Sequence, residues 1–255
     1  MKKIKILLLL LFCFGIISNQ LSAQASMQDS SIHTSMFTGF YGYQFPGGDL
    51  ADRFGSNSEI GVSYLIKDNA NWIYGLEFDY LFGSNVKIGD NLFTELSTSN
   101  GEIIDGNGIY ANIQLFERAN YYSLKAGKLF SVWGPNPNSG IVLIGGLGYL
   151  SHKIRIDVEN NTVPQLAGDY KKGYDRFSNG IAISEFFGYM FMANNRRTNF
   201  FGGIEFIQAV TKCRRDYNFD EKKGDDKTYV DLFFGIKIGW IIPLYKRAPE
   251  KFYYY

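Results

Sequence analysis

The chain has 255 residues, 45% apolar and 20% charged, with 26 basic and 25 acidic side chains and a formal net charge of +1. That balance excludes a disordered tail and gives no basic footprint for a nucleic acid. Aromatics reach 17%, and 28 glycines stand against six prolines, which without long apolar helices points to β-sheet and especially to a closed barrel.

The chain opens with Lys2, Lys3 and Lys5, then the apolar run Ile6 to Ile17, then small residues at Ser22, Ala23 and Ala25. This order reads as a secretory signal peptide over residues 1–23, cleaved after Ala23 or, alternatively, after Ala25. The apolar run is shorter than the roughly 20 residues of a membrane helix. Cleavage takes away three of the 26 basic residues and none of the 25 acidic ones, so the mature chain becomes net −2. Cys213 would be its only cysteine, which leaves no intramolecular disulfide. Residues 24–35 are expected to be a periplasmic N-terminal segment, and 36–245 a transmembrane barrel.

The candidate strands are 36–45, 58–67, 72–83, 121–131, 140–156, 179–192, 199–211 and 229–245. After the first, Pro46–Gly55 is expected to make a turn and one helical turn that close over the lumen. Short, asparagine-rich links follow at Asp68–Asn71, Val132–Ser139 and Ala193–Thr198; long ones lie at 46–57, 84–120, 157–178 and 212–228. Residues 109–117 also read as strand. They are placed in an extracellular β extension of the second long loop, with a ten-stranded barrel as the alternative. The last strand is followed by a tail, 246–255.

Period-two alternation decides what kind of barrel this is. Val230, Leu232, Phe234, Ile236, Ile238, Trp240, Ile242 and Leu244 share one face of the last strand. Trp72, Tyr74, Leu76, Phe78, Tyr80 and Phe82 do the same in the third. Such faces are too long for ordinary soluble strands of about five or six residues. In a membrane barrel they face lipid, while Glu77, Asp79, Glu205, Asp231 and Lys237 face the lumen as a charge network. Lys125 and Glu185 are further candidates for inward positions. Alternating short and long links predict eight antiparallel strands, with short periplasmic turns, long extracellular loops and both termini in the periplasm. Trp72, Trp133 and Trp240 would then form an aromatic girdle at the periplasmic boundary.

The chemistry-bearing residues are few. His33 and His152 are the only histidines, and neither belongs to a recognisable catalytic or metal-ligating spacing. Gly145-Gly146-Leu147-Gly148 lacks the following helix and the Lys-Ser/Thr of a phosphate loop. No catalytic residue, cofactor site or metal site is expected. Paired charges would fill an eight-stranded interior, which is only wide enough for side chains. Recognition is expected from the extracellular loops, with Tyr170, Tyr174 and Arg176 as the favoured partner-binding residues, because aromatic and arginine side chains anchor interfaces. The alternatives are a small-solute channel and a lipid-modifying barrel enzyme dependent on His152.

The Ala23-Gln24 cleavage region, the Pro46–Gly55 loop and the closing strand 229–245 together resemble the small outer-membrane β-barrels of the Bacteroidota. The resemblance implies the outer membrane of a Gram-negative bacterium, contact with its lipids and lipopolysaccharide, and a binding or scaffold role. Related barrels accompany outer-membrane assembly and type IX secretion machinery, so it also implies a place in a larger outer-membrane protein complex.

Overall fold

The computed structural model describes residues 30–245, except 162, 196 and 197. The expected signal peptide and the tail 246–255 lie outside the described residues. Eight strands form the ring: β1 (Thr34–Gly48), β2 (Asn57–Lys67), β3 (Trp72–Gly83), β4 (Ile113–Phe130), β5 (Gly140–Val158), β6 (Ser178–Met192), β7 (Asn199–Cys213) and β8 (Thr228–Leu244). Each pairs antiparallel with the next, and β1 pairs with β8 to close the barrel. The ten-stranded alternative is thereby excluded. β1 begins at Thr34, so the last two residues assigned to the N-terminal segment already belong to the wall.

Alternation is the cause of the fold. Along β1, Met36, Thr38, Phe40, Gly42 and Gln44 are buried, while Phe37, Gly39, Tyr41, Tyr43 and Phe45 are exposed. β8 repeats the inversion, burying Asp231, Phe233, Lys237 and Ile241 and exposing Val230, Phe234, Ile236, Ile238, Trp240 and Ile242. No helix among the described residues is long and apolar enough to cross a membrane. A closed antiparallel barrel, apolar outside and charged inside, is the outer-membrane architecture. This protein is such a barrel, and it sits in the outer membrane.

Of the segment 109–117, residues 113–117 belong to β4 itself, while Tyr110 bridges Ile104 in the loop before it. Ile113 pairs with Val158, whereas β3 ends opposite Glu117 and β6 ends opposite His152. The upper β4–β5 hairpin therefore rises beyond its neighbours, above the long-loop rim. At the opposite end, Trp72 opens β3, Trp133 sits in the β4–β5 turn and Trp240 lies late in β8, all three exposed. Lys128 stacks over the Trp72 ring at 5.0 Å there.

Candidate functional site

The lumen is filled in layers. At the short-turn end Ile32, Met36, Leu65, Ile73, Leu129, Val142, Met190, Met192 and Ile241 form an apolar floor. Asn138 Oδ1 accepts from the Ile32 amide at 2.9 Å and from Lys67 Nζ at 2.9 Å, which ties the N-terminal segment into that floor. Above it lies the charged layer. Lys237 Nζ stands 2.5 Å from Glu205, 3.0 Å from Glu59, 3.1 Å from Glu77 and 3.8 Å from Asp79. Lys125 Nζ reaches Glu77 at 2.8 Å, Glu205 at 3.1 Å and Ser184 Oγ at 2.9 Å. The structure thus brings Glu77, Asp79, Glu205 and Lys237 together with Lys125, the expected further inward residue, and adds Glu59.

Asp231 belongs to a separate, higher cluster. It accepts from Thr211 and lies 2.9 Å from His152 Nε2. His152 is buried in the lumen, with its ring edge-on to Phe54 at 6.0 Å, and is not at a solvated strand end. Arg53 spans the same level, bonding Ser178 Oγ and stacking on Tyr229. The helical turn Leu50–Arg53 closes this end, with Leu50 and Phe54 buried. The expectation of an inward Glu185 is corrected: it faces outward from β6, where its parity matches Ile181, Ile183 and Phe187.

Two lumen residues escaped the sequence reading as site members although their parity marks them. Glu59 lies on the inward face of β2 with Ser63, and His152 on the inward face of β5 with Leu150 and Ile154. A cavity between the apolar floor and the Lys125–Lys237 layer, lined by Ser63, Leu65, Glu77 and Phe186, holds about 20 Å³, close to what one water needs. Gly146 and Gly148 explain the Gly-rich run, because a Cβ at Gly146 would stand 2.3 Å from Ser184 Oγ, and one at Gly148 2.7 Å from the Tyr121 ring. These glycines make room for lumen side chains.

The long loops form a folded cap. Leu92, Phe93 and Ile103 of the β3–β4 loop pack with Val163, Leu166 and Tyr174 of the β5–β6 loop, against Ile154, Ile156 and Val158 of β5. Tyr174 packs between Phe93 and Phe219, at 5.5 and 5.3 Å between ring centres. Arg176 is buried and bonds Asp220, Glu221 (2.9 Å) and, more distantly, Asp225 (4.0 Å) of the β7–β8 loop. Burial works against the Arg176 charge, but the Asp220 and Glu221 carboxylates outweigh it and raise its pKa. Arg215 grips Asp175 with two bonds, at 2.7 and 2.5 Å, the fork geometry that suits a carboxylate.

The favoured trio therefore divides. Tyr170 is 63% exposed, whereas Tyr174 and Arg176 are interior, so these two hold the cap together and present nothing to a partner. The exposed apolar groups of the cap include Ile104, Ile109, Tyr110, Tyr170, Tyr217 and Phe219. Ile104 and Tyr110 face each other across a bridge in the β3–β4 loop.

No protein-family model and no curated protein matches the chain. Among solved structures it is similar to Ail, the attachment invasion locus protein of Yersinia pestis, in complex with the heparin analogue sucrose octasulfate. That likeness has 13% identity, covers 82% of this chain and 99% of the other, and has a TM-score of 0.41. It is similar to Neisserial surface protein A at 9% identity, covering 81% and 96%, with a TM-score of 0.39. It is also similar to the outer membrane protein OprG from Pseudomonas aeruginosa at 15% identity, covering 85% and 99%, with a TM-score of 0.38.

Proposed function

We propose that this barrel is a non-enzymatic, non-conducting binding or scaffold subunit that engages a larger outer-membrane protein complex through its extracellular cap. The observation that supports this reading is the folded cap itself, which holds Tyr170 exposed on a β5–β6 loop cross-linked to the β7–β8 loop by Arg176 and Arg215, and Ile109 and Tyr110 exposed on a β3–β4 loop packed against it through Phe93 and Tyr174. A preorganised surface loses less conformational entropy on binding than a flexible one. The filled lumen points the same way, since solute passage needs a continuous path and the cavity beside Lys125 and Lys237 holds only about 20 Å³. An accessory place beside assembly or secretion machinery fits the Bacteroidota resemblance.

Membrane lipid is the second partner in this reading. Lys153 of β5 and Lys212 of β7 are exposed on the outer wall at the extracellular rim. Arg118 stands directly opposite Lys153 in the β4–β5 ladder. This is the height at which lipopolysaccharide phosphates would be met.

The experiment is purification in mild detergent after crosslinking, comparing the native chain with a variant carrying Ile109→Ala, Tyr110→Ala and Tyr170→Ala. The reading expects normal membrane insertion and at least a tenfold loss of the same co-purifying proteins, as befits truncated interface anchors. Equal recovery from a folded variant overturns the cap as the binding surface.

A further inference from the structure

Among the described residues, the outer wall carries one acidic group at mid-height, where lipid should be. Glu185 lies at the middle of β6, exposed, with Ile181 and Ile183 on one side and Phe187 and Tyr189 on the other. Gln208 of β7 is its neighbour, with Nε2 at 3.5 and 3.4 Å from the two carboxylate oxygens. Other polar outward side chains sit at the rims, among them Arg118, Asn120, Ser151, Lys153, Asp157 and Lys212 towards the cap and Lys128 towards the short turns. An ionisable group inside the hydrocarbon lacks water to satisfy it and marks a site where protein replaces lipid.

The wall is also hollow at this point. Gly145 stands opposite Glu185 on β5, and Ala126 stands opposite Gly145 on β4. A Cβ at Gly145 would meet only the Ala126 carbonyl oxygen, at 3.8 Å. A groove of about 340 Å³ opens beside it, lined by Leu143, Gly145, Glu185, Phe187, Ile204 and Phe206. Recesses made by small residues allow the close approach that drives association in lipid, where no hydrophobic effect separates protein from solvent.

We propose that this groove is the interface between two copies of the chain within the membrane. The patch offers one acceptor, Glu185, beside one donor, Gln208, with their polar heads in contact and therefore at nearly the same depth. A two-fold axis along the membrane normal sets the Gln208 amide of each copy against the Glu185 carboxylate of the other. Such self-complementarity is what an isologous interface requires. Phe187 and Phe206 flank the polar pair and are the groups that fill the facing recess over Gly145. Lipid headgroups do not reach the middle of the wall, so they do not satisfy Glu185.

The test is disulfide crosslinking in outer membranes, in a Cys213→Ser background. Ile183→Cys places a thiol beside Glu185, and Ile60→Cys places one on the exposed face of β2 as a control. The proposal expects a covalent dimer of twice the chain mass from Ile183→Cys and none from Ile60→Cys. Adding Glu185→Leu with Gln208→Leu should cut the dimer yield about tenfold, the scale of a few hydrogen bonds in lipid. Heat-modifiable migration verifies that every variant is folded. The proposal is overturned by no dimer from Ile183→Cys, by equal dimer from both thiols, or by a yield unchanged by the leucine pair. A crosslinked product of any other mass also overturns it, since a different protein would then occupy the face.

Discussion

Lys237 holds carboxylates from three other strands within 3.8 Å, Glu59 of β2, Glu77 and Asp79 of β3 and Glu205 of β7. Removing the cation leaves four buried acids with Lys125 as their remaining strong partner. Breaking a buried ion network by deleting one member costs about 3–5 kcal/mol, and Lys237→Ala should lose stability on that scale. Urea unfolding of the refolded barrel in detergent measures it, with the exposed Lys153→Ala expected to be near neutral. Glu221 offers a pH readout of the cap. Its partial burial raises its pKa, but the hydrogen bond and charge of Arg176, helped by Lys223, outweigh that and hold it below the ordinary carboxylate value. A depressed acid stabilises the fold fully above its unfolded pKa, and that stabilisation is lost as pH falls through the lower folded value. Tyrosine near-ultraviolet circular dichroism should therefore show Tyr174 and Phe219 loosening only below the usual carboxylate range. Glu221→Gln should weaken that transition.

At the scale of elements, the wall was legible because a strand must alternate, and alternation survives in the sequence without tertiary help. The apolar faces of β3 and β8 assign their opposite residues to the lumen directly. Parity alone also accounts for Glu59 and His152, and it contradicts an inward Glu185, which shares its face with Ile183 and Phe187. The β4 extension was ambiguous for a physical reason: residues 113–116 pair only with β5, beyond the reach of β3. The cap was not legible. Burial of Tyr174 depends on Phe93 and Phe219, residues from two other loops, and no local pattern encodes that meeting. Gly146 tests the packing of the wall itself. Gly146→Val puts branched carbon where Ser184 Oγ and the Lys125 stem already stand, at 2.3 and 3.0 Å from the new Cβ. Overpacking costs about 1–3 kcal/mol, so the variant should lower the urea midpoint, while Gly145→Val, with open space outside, should leave the monomer's midpoint nearly unchanged.

For the whole molecule, the layered filling makes a prediction about transport. An apolar floor, a charged middle and the Leu50–Phe54 closure lie in series along one axis. Planar-bilayer recordings of purified protein should show no steady conductance above the bare membrane, and Lys237→Ala by itself should not open one, since the floor and closure remain. Steady, large conductance from the native chain would overturn the closed reading.

The charged middle also bears on the order in which the barrel comes into being. Lys237 arrives on the last strand, yet three of its four carboxylate partners lie on β2 and β3, and those three meet it only when β8 zips onto β1. An unclosed sheet in the bilayer would carry Glu59, Glu77 and Asp79 facing one lysine, Lys125, while Lys237 waits on the free edge with Glu205 of the adjacent strand as its one carboxylate. Such an intermediate is costly at every stage before closure, because buried charge without a partner is penalised heavily. Insertion and closure are then one event: the seam works as a latch whose engagement neutralises the interior, and a half-built wall has no resting place in the membrane.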